Sequence, residues 1–257
     1  MKERIFYHRS YRTLERARPG RWWGLLGLVL ALDVLLFLAM PWLLGAASGA
    51  VRSLLSACGV PATVQSVTFF PPLLPQVPLV LTPTVSPSPW FSFASLAVAV
   101  AAVLGLPLLR GLPRPLAIYL VFLGALTGLS AAYFMVVPER FPNDIYDYSL
   151  LHASLEVFLW LLVPLVMALA LNPLPGGNGL KLAVVLSALV YSVTLGTVRW
   201  AATLYLMQKG SVLFMATLFF GIGPFFEFVG VVTLYALYVN AQALRLARDP
   251  AAWHWLS

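Results

Sequence analysis

Charge is what this sequence is shortest of. Only 10% of its 257 residues are Asp, Glu, Lys or Arg, against 61% hydrophobic, whereas soluble domains average about 25% charged. So little polar surface cannot coat a water-surrounded fold, and lipid must be the solvent for much of the chain. A mean hydropathy of +0.89 agrees. Cysteine is scarcer still: Cys58 is single, which excludes an intrachain disulfide and any CxxC metal or redox motif. Of three histidines, His8 and His254 are terminal, so no facing pair exists to ligate a haem. His152 and Glu156, spaced HxxxE, supply only half of a metal site, and no metal is expected. The net charge of +7 is concentrated in the N-terminal tail. No basic groove with interleaved aromatics accompanies it, so nucleic acid is excluded as a partner.

What is present is a series of long apolar runs. Residues 1–21 are a basic cytoplasmic segment in which Tyr7, Tyr11 and Leu14 share one helical face among arginines. It is either an interface helix on lipid headgroups or a basic tail that only sets orientation. Trp22-Trp23 mark the membrane edge, and residues 22–46 form the first span, carrying Asp33 near its middle. Residues 47–90 hold seven prolines between 71 and 89, which no crossing helix tolerates. TVQSVTFF and PLVLTPTV within it are β-prone, and the segment reads as an ordered extracytoplasmic cap containing a short hairpin or extended strands. Residues 91–247 supply five more spans, and 248–257 a cytoplasmic tail. The last apolar stretch exceeds one crossing by roughly ten residues. Gly221, Gly223 and Pro224 interrupt it, so 211–224 is either re-entrant or part of one tilted helix.

With the N-terminus inside, twelve basic residues fall on the cytoplasmic side and three, Arg52, Arg140 and Lys209, outside. The expected fold class is therefore an all-α integral membrane protein of the cell (inner) membrane, with six transmembrane helices, both termini cytoplasmic and a proline-rich cap between spans 1 and 2. Gly124, Gly128, Ala131 and Ala132 on span 3 offer a close-packing face to another helix. Few residues lie on the cytoplasmic side, so no large soluble partner is expected there; other membrane subunits are.

Membrane-depth charges are costly and usually paired. Arg199 and Glu227 lie on successive apolar segments, and the expectation is that they pair or line one cavity. His152 and Glu156 share a face of span 4 by their i, i+4 spacing. These four form a candidate polar pocket toward the outside, and Asp33 a candidate relay or packing group. The same groups can equally hold helices together: Arg199 with Glu227, His152 with Glu156 or a backbone carbonyl. No cofactor is specified; a quinone or lipid headgroup would need only a few polar contacts beneath an aromatic wall.

Cys58, His152 and Arg199 all fall on the outer side, a set that resembles the Cys/His/Arg chemistry of exosortase and archaeosortase transpeptidases, and LVYSVTLGTVRWAATL is similar to the arginine-bearing span of that family. That resemblance implies a membrane transpeptidase. Against it, SACGV belongs to the cap rather than opening a span, His152 precedes Arg199, and Glu227 stands where the family's histidine would be. The topology also resembles that of ABC exporter permeases, but RGLPRP leaves no room for the coupling helix that meets their ATPase. The reading is a transport-type or non-catalytic subunit of a membrane complex. The alternatives are a membrane-embedded enzyme acting through His152, Glu156 and Arg199, and a structural scaffold of an energy-transducing or export assembly.

Overall fold

A computed structural model describes residues 19–69, 74–108, 111–137, 144–174 and 176–247. Most of the basic segment expected over 1–21, the tail 248–257, and Arg110 and Arg140 of the orientation count lie outside the described residues. The order of elements is α1 (Pro19–Ala57), β1 (Thr63–Phe69), β2 (Leu74–Leu81), α2 (Pro89–Gly105), α3 (Arg114–Val136), α4 (Ile145–Leu171) and α5 (Asn178–Lys209). A 3₁₀ turn at Val212–Phe214, one α-turn (α6, Met215–Thr217) and a π-helical run at Leu218–Ile222 then lead into α7 (Gly223–Ala247).

Six helical segments are long and apolar enough to cross a membrane: Trp23–Ala57, Pro89–Leu108, Arg114–Val136, Ile145–Leu171, Asn178–Lys209 and Val212–Arg245. Large apolar side chains on them stand open, Val136 at 79% and Leu38 at 71% among them, as a helix facing lipid requires. The chain is a multi-pass membrane protein. On α1, Trp23 and Trp42 are both exposed and lie nineteen residues apart, about 28 Å of helix. That is close to the roughly 30 Å of a hydrocarbon core, with interface-loving rings at each end. The helix does not stop there. It passes through Pro41 and runs on to Ala57, so the first eleven residues of the segment 47–90 are helical. Prolines bring the next change of structure, but only from residue 61 onward.

By contacts the chain divides into two units, one of residues 1–40, 157–194 and 227–257, the other of 41–156 and 195–226. In the first, Leu25 and Val29 of α1, Val163, Met167 and Leu171 of α4, Val185 and Ala188 of α5 and Tyr238 of α7 form a closed apolar core. The α4–α5 turn is drawn tight by Gly176 at φ 122°. Its left-handed backbone suits glycine, and any Cβ there would meet the Tyr238 hydroxyl. Buried Lys181 donates from Nζ to the Asn172 carbonyl at 2.9 Å, a cation placed where the end of α4 is electronegative.

In the second unit, β1 and β2 pair antiparallel from Thr63↔Leu81 to Val67↔Val77, with an irregularity before Phe69↔Leu74. The proline-rich segment after α1 thus contains a hairpin. Val77, Leu79 and Val80 of β2 are fully buried, while most of β1 is exposed. Pro78 is tolerated because a two-stranded ribbon leaves one side of each strand without ladder bonds. Its carbonyl instead accepts from Ser48 Oγ at 2.6 Å. Ser149 Oγ donates to the Val80 carbonyl at 2.8 Å, and the Val212 amide donates to the Val85 carbonyl at 3.2 Å. The hairpin is thereby tied to α1, α4 and the start of the last span. Ser88 caps α2 ahead of Pro89, accepting from the Phe91 amide at 3.2 Å. Gly124 and Gly128 let α3 close on α2: Cβ atoms there would sit 3.2 Å from Val103 Cγ2 and 3.3 Å from Ala99 Cβ. The small-residue face of span 3 is occupied by the chain's own α2.

Candidate functional site

The second unit contains a buried ionic cluster built on facing turns of α4 and α5. Asp144 opens α4 with a reciprocal cap: the Asp147 amide donates to Asp144 Oδ1 at 2.9 Å, and the Asp144 amide donates to Asp147 Oδ2 at 3.3 Å. From that start the 3.6-residue period puts Tyr148, His152 and Glu156 on one face. On α5, Gly196, Arg199, Trp200 and Thr203 face them. His152, Glu156 and Arg199 are all nearly sealed, at 1%, 3% and 5% exposure.

Glu156 Oε1 is the centre of the cluster. It accepts a hydrogen bond from Arg199 Nη2, and it lies 3.4 Å from His152 Nε2. The same Nε2 is 3.4 Å from the Gly196 carbonyl oxygen. Both neighbours of Nε2 are acceptors, so that nitrogen carries hydrogen and is not available to take a proton or bind a metal. The imidazole is held between rings, stacked on Tyr148 at 5.9 Å and tilted against Trp200 at 5.5 Å. Tyr148 has a hydrogen-bond partner in Thr203. On its other side the guanidinium lies against the backbone of Gly223, where an added Cβ would come within 3.3 Å of Nη1.

Glycine at 196 is what allows this approach. Any Cβ there would run into the Glu156 carboxyl group, with Oε1 at 2.8 Å. The π-helical run just before Gly223 is tied separately. Tyr119 Oη donates to the Gly221 carbonyl at 2.5 Å, Thr127 Oγ1 and Thr217 Oγ1 share a hydrogen bond at 2.9 Å, and Tyr119 stacks on Phe225 at 4.7 Å. Irregular backbone is tolerated at membrane depth when the groups it frees are met by neighbours in this way.

Of the residues singled out from sequence, His152, Glu156 and Arg199 thus meet in one cluster. Glu227 lies in the first unit, where its Oε1 accepts from Ser192 Oγ. Asp33 lies in the first unit as well; its two carboxyl oxygens are enclosed and have no hydrogen-bond partner among the described residues. Cys58 is exposed in the turn after α1, whereas His152 is buried with Nε2 directed at Glu156 and Gly196. No group of three or more His, Cys, Asp or Glu side chains placed to hold a metal occurs among the described residues. Sequence reasoning missed Gly196 and Trp200. Gly196 had a weak signal, since it stands about one turn before Arg199, an arginine set inside a long apolar run. No protein family, curated protein or solved structure matches the chain.

Proposed function

We propose that this chain is a non-catalytic or transport-type subunit of a membrane complex, set in the cell (inner) membrane with both termini cytoplasmic. Its His152–Glu156–Arg199 cluster locks α4 to α5 rather than performing chemistry. The observation that carries this reading is that one carboxylate oxygen faces two nitrogen donors, Arg199 Nη2 and His152 Nε2, inside a sealed site. A guanidinium already neutralised by an acid and a histidine nitrogen already committed to acceptors have little left to offer a substrate. An enzyme acting through these residues would have to break the pair first, and breaking a buried pair costs about 3–5 kcal/mol. The transport-type form of the proposal draws on Asp33, an enclosed carboxyl group of the kind that relays protons or ions across membranes.

The test is purification of the full-length chain in mild detergent, beside an Arg199→Leu/Glu156→Leu double variant. Both are expected to fold and to bring down the same membrane partners in fixed ratio, while each single leucine variant loses folded yield. A chain that purifies alone would remove the subunit reading. A double variant that keeps its fold and partners but abolishes the assembly's turnover would make the cluster functional instead.

A further inference from the structure

The second unit also contains a cavity of about 280 Å³ between α3, the first turns of α4 and the irregular run 212–220. Its walls include Ser130, Phe134, Asp147, Tyr148, Phe219 and Phe220, with aliphatic side chains filling the rest. His152, Glu156 and Arg199 do not line it. Tyr148, whose ring stacks on His152, does line it.

Two features define what the cavity can hold. The first is the setting of its aromatic rings. Phe219 is nearly perpendicular to both neighbours, at 83° to Tyr148 across 6.1 Å and at 86° to Phe220 across 5.1 Å. All three rings line the cavity, set at steep angles to one another, so that a cation held there has more than one aromatic ring for a neighbour. The second is charge. Asp147 is exposed at the cavity, and among the described residues neither lysine nor arginine lines it. Its Oδ2 takes the Asp144 amide at 3.3 Å, a single bond to a group with roughly four lone-pair positions. An anion would face a carboxylate that no cation lining the cavity offsets among the described residues, and a neutral apolar molecule would leave that charge unused.

We propose that this cavity binds an alkylammonium group, with Asp147 as counter-charge and Tyr148, Phe219 and Phe220 as the cage. A cavity of this size, near the lower end of about 300–1,000 Å³ for ligand pockets, takes a headgroup and its first carbons rather than a whole lipid. The ligand is either a free ammonium compound such as choline or the ammonium headgroup of a lipid, and the proposal goes beyond the subunit reading without depending on it.

The experiment is calorimetric titration of the full chain in a non-ionic detergent with octyltrimethylammonium, octanol and choline. Octyltrimethylammonium is expected to bind saturably and at least about tenfold more tightly than octanol. Asp147→Asn should weaken it about tenfold and leave octanol unchanged, while Asp147→Glu retains binding. Choline binding as tightly as octyltrimethylammonium identifies a free ammonium compound as the ligand; binding of the octyl probe alone identifies a lipid headgroup. Should Asp147→Asn disturb the α4 cap and lower the folded yield, Phe219→Leu carries the same comparison from the aromatic side. Equal binding of octanol and octyltrimethylammonium, no saturable binding of either, or an unchanged preference in both variants overturns the proposal.

Discussion

Gly196→Ala puts the buried cluster to a direct test, because two opposing effects of known size meet at one methyl group. In an unobstructed helix, replacing glycine by alanine stabilises by about 0.5–1 kcal/mol, since glycine loses more backbone freedom on folding. At position 196 the added Cβ meets the Glu156 carboxyl group, with Oε1 at 2.8 Å, closer than real Cβ contacts come. The obstacle is not the loose end of a surface side chain, for that carboxylate is held by Arg199 and lies beside His152. Either α4 and α5 move apart or the carboxylate leaves the guanidinium. Overpacking costs about 1–3 kcal/mol, and separating a buried ion pair about 3–5 kcal/mol. Even the smaller of these, taken at its middle and less the helix gain, leaves Gly196→Ala destabilising by about 1–2 kcal/mol. The assay is thermal unfolding in detergent, followed by tryptophan fluorescence and by retention on size exclusion. Gly49→Ala is the control, because that helical glycine has open space where a Cβ would go, and it should be neutral or stabilising. With Glu156→Ala in the background the obstruction is gone, and Gly196→Ala should then cost nothing further. If Gly196→Ala unfolds at the wild-type temperature or above it, the close approach of α5 to Glu156 is wrong and the locked cluster falls with it.

Three further outcomes follow from the same geometry. Tyr119→Phe removes the donor to the Gly221 carbonyl and should cost about 1 kcal/mol, seen as faster proteolysis or hydrogen exchange around 218–222; unchanged protection there would mean that the π-helical run does not rely on α3. Lys181→Met deletes the cation at the end of α4 and should lower the unfolding temperature, by roughly 1–2 kcal/mol of stability, with Lys181→Arg retaining part of it. Cys58, single and exposed, should react with a membrane-impermeant maleimide added outside intact cells; labelling only after permeabilisation would place the hairpin on the cytoplasmic side and reverse the orientation.

How far the sequence could be read depended on the length scale of the property. Six apolar runs follow from solvation alone: a helix in lipid must be apolar over its whole length, and a window of twenty residues registers that without reference to any neighbour. The hairpin was partly legible, because proline clusters exclude helix and the β-branched stretches between them favour strand. The course of α1 was less so. A proline inside a helix, such as Pro41, bends or interrupts it only where packing does not compensate, and nothing local announces that the helix continues to Ala57.

The cluster itself separates the two kinds of information most clearly. Helical periodicity is a local rule, and it places Tyr148, His152 and Glu156 on one face whatever surrounds them. Which acid Arg199 meets is decided by the depth and rotation of α5 against α4, and that register depends on how closely two backbones approach. Here the approach rests on the missing Cβ of Gly196, a contact between residues forty apart in the chain. The cavity beside it depends on the same kind of information, since the angle between the Tyr148 and Phe219 rings is set by packing and by the π-helical backbone at Leu218–Ile222. Solvation and helical period, both local, were determined by the sequence alone; the choice of partner across helices came only with the packed structure, because it is a property of distances between segments that no single segment encodes.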